Sequence, residues 1–127
     1  MTTEEFKNNW LRYLEAWNQK DMELTDRLSD AYVSPNAIGH NPGVYDFGDL
    51  MSQSQKEFAR AIVARNPDFH VTVDDALVDG DRMILRGTIL LNNPSSGAIE
   101  SITFMEIDRI VNEQIVESWD LFVPGKW

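Results

Sequence analysis

Hydrophobic residues near the amino terminus recur every three or four positions, which is the spacing of one face of an α-helix. These residues are Phe6, Trp10, Tyr13, Leu14 and Trp17. Thr2 and Glu5 precede the stripe as a capping box, so the pattern predicts a first helix that ends near Gln19. Asp21 is a candidate N-cap for a second, short helix.

A different pattern follows the second predicted helix. Residues 31–42 contain two prolines and predict a short strand or a loop. Asp49 is a candidate cap for a third helix, and Pro67 ends that helix because the residue before a proline avoids helical backbone angles. The apolar face of this third helix consists of Met51, Phe58, Ala61 and Ile62.

In residues 69–74 apolar and polar residues alternate, as they do in a strand with one buried face. Asp79 and Gly80 predict a hairpin turn. Three more strands are predicted at residues 83–91, 99–110 and 114–123. Helices in the first part of the chain and an antiparallel meander in the second part indicate an α+β domain, with three helices packed on the concave face of the sheet. Because long strands twist and curl, we expect a cone-shaped barrel with an internal pocket, formed by residues 1–127 as one domain.

Charge narrows the range of partners. The chain has 21 acidic and 11 basic residues, for a net charge of −10. The electrostatic field of so negative a protein repels nucleic acid and anionic membranes. The longest apolar run, residues 61–64, is far shorter than a membrane-spanning helix. The amino terminus is acidic rather than signal-like, so we expect a cytoplasmic protein, with a periplasmic protein whose signal has been removed as the alternative. Without cysteine, disulfides and cysteine-based zinc sites are excluded.

Asp120 is the strongest candidate for chemistry. Period-two alternation places it on one strand face with Val116, Ser118 and Phe122, while Ile115 falls on the other face. Apolar neighbours disfavour the ionised carboxylate, which raises its pKa and makes it a better general base near neutral pH. The alternative is a structural aspartate that accepts a hydrogen bond from a backbone amide or pairs with a surface arginine.

Tyr13 and the two histidines are further candidates. Tyr13 lies on the apolar stripe of the first helix, where it either donates to a developing oxyanion or is a core residue. His40 is expected to line the pocket mouth as a hydrogen-bonding or proton-transfer group, and His70 to be a sheet residue. The histidines stand 30 positions apart without acidic or histidine neighbours at metal-ligand spacing, so no metal site is predicted.

Arg86 stands in the middle of a predicted strand, where a buried arginine needs a carboxylate partner. We expect it to pair with Asp120, Glu106 or Glu117, or to face a dimer partner. No glycine-rich phosphate loop and no serine-hydrolase elbow is present, and no cofactor is predicted.

Three segments together resemble one family: residues 14–21 (LEAWNQKD), residues 66–71 (NPDFHV) with the later Arg86-Gly87-Thr88, and residues 115–120 (IVESWD). The chain is similar to SnoaL-like members of the nuclear-transport-factor-2-like superfamily. This resemblance implies a cone-shaped domain, commonly a homodimer through the outer face of the sheet. It also implies a small-molecule pocket, used by polyketide cyclases, isomerases, dehydratases and non-enzymatic relatives.

In SnoaL-like cyclases an aspartate on the last long strand takes a proton from carbon next to a carbonyl, and the enolate closes a ring without cofactor or metal. Asp120 stands at the matching position, and His40 falls where many members have a histidine. Ile89 replaces the second histidine of the cyclases. Ketosteroid isomerases resemble the chain at Tyr13 but have an aspartate where it has Asn41.

Limonene-epoxide-hydrolase-like members would have a carboxylate where this chain has Thr88.

We therefore expect a cofactor-free isomerase or lyase of polyketide-cyclase type that acts on a small, apolar carbonyl compound. Asp120 would be the base, with His40 and Tyr13 donating to the enolate oxygen. The predicted pocket lining is Trp17, Asn41, Phe58, Phe104, Ser118 and Phe122. The alternative is a non-catalytic ligand-binding or oligomerisation module of the same fold.

Overall fold

A computed structural model describes residues 1–41, 55–93 and 95–127. Its elements, in chain order, are α1 (Thr3–Asn18), α2 (Met22–Tyr32), β1 (Val33–His40), α3 (Gln55–Arg65), β2 (His70–Asp79), β3 (Arg82–Asn92), β4 (Ile99–Val111) and β5 (Gln114–Pro124). The three predicted helices and the four-strand meander are confirmed. The stretch predicted as a short strand or loop contains the strand β1.

Local capping explains where the first two helices begin. The hydroxyl of Thr2 accepts a hydrogen bond from the backbone N–H of Glu5 at 3.1 Å, and the carboxylate of Asp21 accepts one from Leu24 at 3.1 Å. Both predicted caps are confirmed. The predicted cap of the third helix, Asp49, lies outside the described residues. No helix in the described part of the chain is long and apolar enough to cross a membrane.

The five strands form one open sheet in the order β1-β5-β4-β3-β2. Strands β2 to β5 are antiparallel, whereas β1 runs parallel to β5 at the edge. The sheet was expected to be antiparallel; the parallel pairing of β1 with β5 makes it mixed, and it is not closed. The architecture is the α+β cone fold that the sequence pattern predicts.

The sheet has two chemically different faces. On β3, alternate residues from Met83 to Leu91 are buried. This inner face packs against α1, whose Phe6, Trp10 and Trp17 belong to the same core cluster. The opposite, outer face carries exposed apolar side chains: Leu77, Met105, Ile107, Leu121 and Val123.

A β-bulge changes the faces of β5. Arg109 pairs with Glu117 but Ile110 pairs with Ile115, which leaves Val116 as an extra residue. Ile115 is only 3% exposed and belongs to the core. Strict alternation assigned Ile115 to the face opposite Asp120, and that assignment is wrong because the bulge shifts the register by one residue.

Candidate active site on the inner face of the sheet

Asp120 lies on β5 directly opposite Glu106 of β4. The next pair on the same face is Asp108 and Ser118, and the Ser118 hydroxyl donates to Asp108 Oδ1 at 2.5 Å. Cross-strand partners of an antiparallel sheet point to the same side. These four residues therefore form one polar patch, called here the carboxyl cluster.

Apolar side chains surround the carboxyl cluster within the sheet. Leu85 and Met83 of β3 are the register partners of Glu106 and Asp108, and neither side chain is exposed to solvent. Phe104 and Phe122 form the adjacent cross-strand pair, with ring centroids 6.4 Å apart. The carboxyl groups thus lie in surroundings of low polarity, which disfavour their ionised forms.

The pKa values of the cluster follow from these surroundings. Burial, reinforced by the negative charge of Asp108, raises the pKa of Asp120 from 3.8 to about 7. Burial and then the charge of Asp108 raise the pKa of Glu106 well above its usual range. Burial also raises the pKa of Asp108, while its interaction with the neighbouring Glu106 carboxyl and then the hydrogen bond from Ser118 oppose that increase. In the described ranges no arginine, lysine or histidine forms an ion pair with these three carboxyls.

His40 lies on the outer face, so the structure does not bring it together with Asp120. It is the register partner of Trp119, its ring stacks on that indole at 5.3 Å, and its Nε2 lies 2.7 Å from Glu117 Oε2. The hydrogen bond with His40 lowers the pKa of Glu117. The sheet separates this pair from the carboxyl cluster.

Tyr13 is fully buried in the core, and its hydroxyl lies 2.8 Å from Ser29 Oγ. Its ring packs against the indoles of Trp10 and Trp17 at centroid distances of 4.5 and 5.7 Å. This position satisfies the hydroxyl inside the protein, as in a core tyrosine. A donor role for Tyr13 toward a substrate stays a prediction.

Arg86 also lies on the outer face. Its Nε donates to Asp75 Oδ2 at 2.8 Å, and its guanidinium lies 5.0 Å from the centre of the Trp127 ring. The predicted pairing of Arg86 with Asp120 or Glu106 is wrong, because both of these residues lie on the inner face. The predicted pairing of Arg86 with Glu117 is wrong as well. Glu117 pairs instead with His40 and Arg109.

The predicted pocket residues do not form one group. Trp17 and Phe104 are buried in the core, whereas Ser118 and Phe122 are half-buried beside Asp120. Asn41 is half-buried just beyond β1. Phe58 belongs to α3, but its side chain lies outside the described part of the chain.

A surface cleft of about 600 Å³ runs along α2 beside Arg60 of α3. Five residues of α2 line it together with Arg60: Met22, Glu23, Asp26, Arg27 and Asp30. Five of the six lining residues are charged, and no member of the carboxyl cluster contributes to the lining. Because the cleft contains neither Asp120 nor its acidic neighbours, we place the candidate site at the carboxyl cluster instead.

Glu106 and Asp108 are the site residues that sequence reasoning missed. Alternation along residues 99–110 assigns both to the strand face that carries Ile102 and Phe104, and two acidic residues on an apolar face are a usable signal. Among the described residues no group of acidic, histidine or cysteine side chains is arranged to hold a metal ion.

Solved structures with the same fold come from several bacteria. AclR from Streptomyces galilaeus is 21% identical, with a TM-score of 0.71, over 96% of this chain and 81% of that protein. IdmH from Streptomyces antibioticus is 23% identical, with a TM-score of 0.65, over 91% of each chain. A SnoaL-like polyketide cyclase from Agrobacterium tumefaciens is 16% identical, with a TM-score of 0.67, over 96% and 91%. At these identities the likeness shows the fold.

The sequence itself shows the family. No match is found among curated proteins. The family profile described as SnoaL-like polyketide cyclase, in contrast, matches residues 9–122, which include α1 beyond its first turns and nearly all of β5. The resemblance predicted from the three sequence segments is confirmed, and the chain belongs to the SnoaL-like polyketide cyclase family.

Proposed function

We propose that the protein is an enzyme that removes a proton from carbon next to a carbonyl group, with Asp120 as the general base. The observation that carries this proposal is the inner-face carboxyl of Asp120 with a pKa of about 7. A general base is most effective when its pKa lies near the working pH. Asp120 is half-buried, so a ligand can still reach it.

A small, largely apolar carbonyl compound suits these surroundings, because Phe104 and Phe122 flank the carboxyl cluster. The C–H bond breaks, its proton moves to Asp120, and its electron pair forms the C=C bond of an enolate. In a cyclase the enolate carbon then attacks a second carbonyl, and that oxygen takes a proton. Family membership supports a reaction of the cyclase, isomerase or lyase type. His40 has no part in this scheme, since it lies on the other face of the sheet.

The test is hydrogen–deuterium exchange of 2-tetralone, a bicyclic apolar ketone, followed by NMR in D₂O without added metal or cofactor. We expect the protein to accelerate exchange at the carbons next to the carbonyl. The rate should rise as the pH increases through about 7, because the ionised form of Asp120 is the base. Exchange no faster than in buffer, for 2-tetralone and for a set of linear β-ketoesters, would instead favour a non-catalytic ligand-binding module.

We further propose that the protein is a homodimer through the outer face of the sheet. Ile107 lies at the centre of this face, between Ile84 of β3 and Trp119 of β5, and 40% of its surface is exposed. Met105 and Leu121 continue the apolar surface along the same two strands. Exposed apolar patches of this kind mark protein–protein contacts.

Ile107→Asp tests the dimer, because it introduces a charge at the centre of the proposed interface. By sedimentation equilibrium we expect the wild-type protein at about twice the chain mass of 14.6 kDa and the variant at the chain mass. Asn8→Asp adds the same charge on an exposed position of α1 and should remain a dimer. A wild-type protein that sediments as a monomer at micromolar concentration would contradict the proposal.

A further inference from the structure

Glu106 is the carboxyl residue directly opposite Asp120 in the sheet. The two residues are direct register partners on β4 and β5, which places their Cβ atoms about 5 Å apart on the same face. Both are half-buried, so a ligand that contacts one side chain is within reach of the other. The β3 residues in register with Glu106 and Asp108 are Leu85 and Met83, neither of which titrates.

We propose that Glu106 is a second catalytic residue, a neutral carboxylic acid that donates its proton to the substrate oxygen while Asp120 takes the proton from carbon. This inference rests on the proposed function and deepens it. It assigns the donor role to a residue on the inner face, where the sequence had suggested His40 and Tyr13. One carboxyl is then the base and its cross-strand neighbour is the acid.

The mutual effects of the three carboxyls support this division of roles. The negative charge of Asp108 raises the pKa of Asp120, whereas the charges of both Asp108 and Asp120 raise the pKa of Glu106. The hydrogen bond from Ser118 favours the ionised form of Asp108, while the charges of Asp108 and Asp120 both disfavour the ionised form of Glu106. Adjacent carboxyl groups in a site of low polarity resist holding two negative charges. Ionisation of Asp120 thus favours the neutral acid form of Glu106.

The proposed step balances without a co-reactant. Asp120 begins as the carboxylate and Glu106 as the acid. The C–H bond breaks, the proton binds Asp120, and the electron pair of that bond forms the C=C bond. The π electrons of the carbonyl group move to its oxygen, and this oxygen takes the proton of Glu106. The products are an enol, neutral Asp120 and ionised Glu106, so the pair carries one negative charge before and after. Constant charge is an advantage where burial penalises each added charge.

Two variants of Glu106 separate proton donation from packing. Glu106→Leu removes the donor and places an apolar side chain on an apolar face, so the fold should be retained, as circular dichroism would verify. We expect it to lower 2-tetralone exchange by about 10²- to 10³-fold, as loss of an oxyanion donor does. Glu106→Gln keeps an N–H donor without an acidic proton, so its rate should lie between those of the wild type and Glu106→Leu. Glu117→Gln, on the outer face, is the matched control and should exchange at the wild-type rate.

Two readouts are independent of turnover. Carbon-13 NMR of labelled glutamate side chains, assigned with Glu106→Gln, should show Glu106 still neutral at pH values where labelled Asp120 has ionised. Binding of 2-naphthol, a planar analogue of the enol, should weaken in Glu106→Leu and be partly recovered in Glu106→Gln. Fluorescence of the naphthol reports the affinity.

The results distinguish failure of this inference from failure of the proposed function. If Asp120→Asn abolishes exchange but Glu106→Leu keeps the wild-type rate, the function stands and the role of Glu106 is refuted. If the wild-type protein exchanges no substrate, the proposed function is refuted. The NMR titration then decides the inference about Glu106 separately, since ionisation of Glu106 before Asp120 would overturn it.

Discussion

Asp120→Asn is expected to lower the 2-tetralone exchange rate by about 10²- to 10⁴-fold, the contribution of a single positioned base. The amide has nearly the shape of the carboxylate but accepts no proton near neutral pH. Asp75→Asn is the matched control, because it makes the same substitution on the outer face, where Asp75 pairs with Arg86. It should leave exchange unchanged. Full activity in Asp120→Asn would show that another group is the base.

The loss of exchange in Asp120→Asn should not be accompanied by unfolding. The pKa of Asp120 is about 7 in the folded protein, above its ordinary value of 3.8. The folded state therefore holds this proton more tightly than the unfolded state, and the contribution of Asp120 to the free energy of unfolding falls as the pH rises from about 4 to about 7. Asparagine removes this contribution. In urea titrations at pH 8 the variant should be at least as stable as the wild type.

Gly87→Ala is expected to destabilise the protein by about 3 kcal/mol, at the upper end of the usual cost of overpacking. A Cβ at this position of β3 would collide with the backbone oxygen of Thr72 and would lie 2.8 Å from the Phe104 ring. A backbone carbonyl cannot move aside as a flexible side chain can. Phe104 is only 3% exposed and has little room to rotate away. The register shift of β2 between Val73 and Asp75 occurs beside this point.

Gly39→Ala is the control for Gly87→Ala. A Cβ at Gly39 in β1 would meet no atom within 4 Å, so the change should cost less than about 0.5 kcal/mol or slightly stabilise the protein. The free energies of unfolding from urea titrations give both values. Equal stability of the two variants would show that the close approach at Gly87 is relieved at little cost.

The secondary structure was largely predictable because its signals are local. A helix that buries one side repeats its apolar residues every three or four positions, and α1 does so from Phe6 to Trp17. A strand that buries one side alternates, as Phe69, Val71 and Val73 do with the polar residues between them. The parallel pairing of β1 with β5 was not predictable, because the residue pattern of a strand does not indicate which other strand it pairs with.

The candidate site was only partly predictable. Asp120 was identified from its own strand, but its partner depends on the bulge at Val116. If the register of the turn between β4 and β5 continued without that bulge, Glu106 would lie opposite Trp119. One extra residue therefore brings Glu106 beside Asp120. His40 was misjudged for a related reason, since its face depends on the pairing of β1.

The sequence by itself determined the α+β class, the helices and strands, the family and the choice of Asp120. Each of these depends on side-chain pattern along one segment or on residues that the chain carries in order. Only the tertiary structure decided that Glu106 and Asp108 join Asp120 while His40 and Arg86 lie across the sheet. The physical reason is that successive residues of a strand point to opposite faces. A one-residue shift in register therefore changes which side chains share a site.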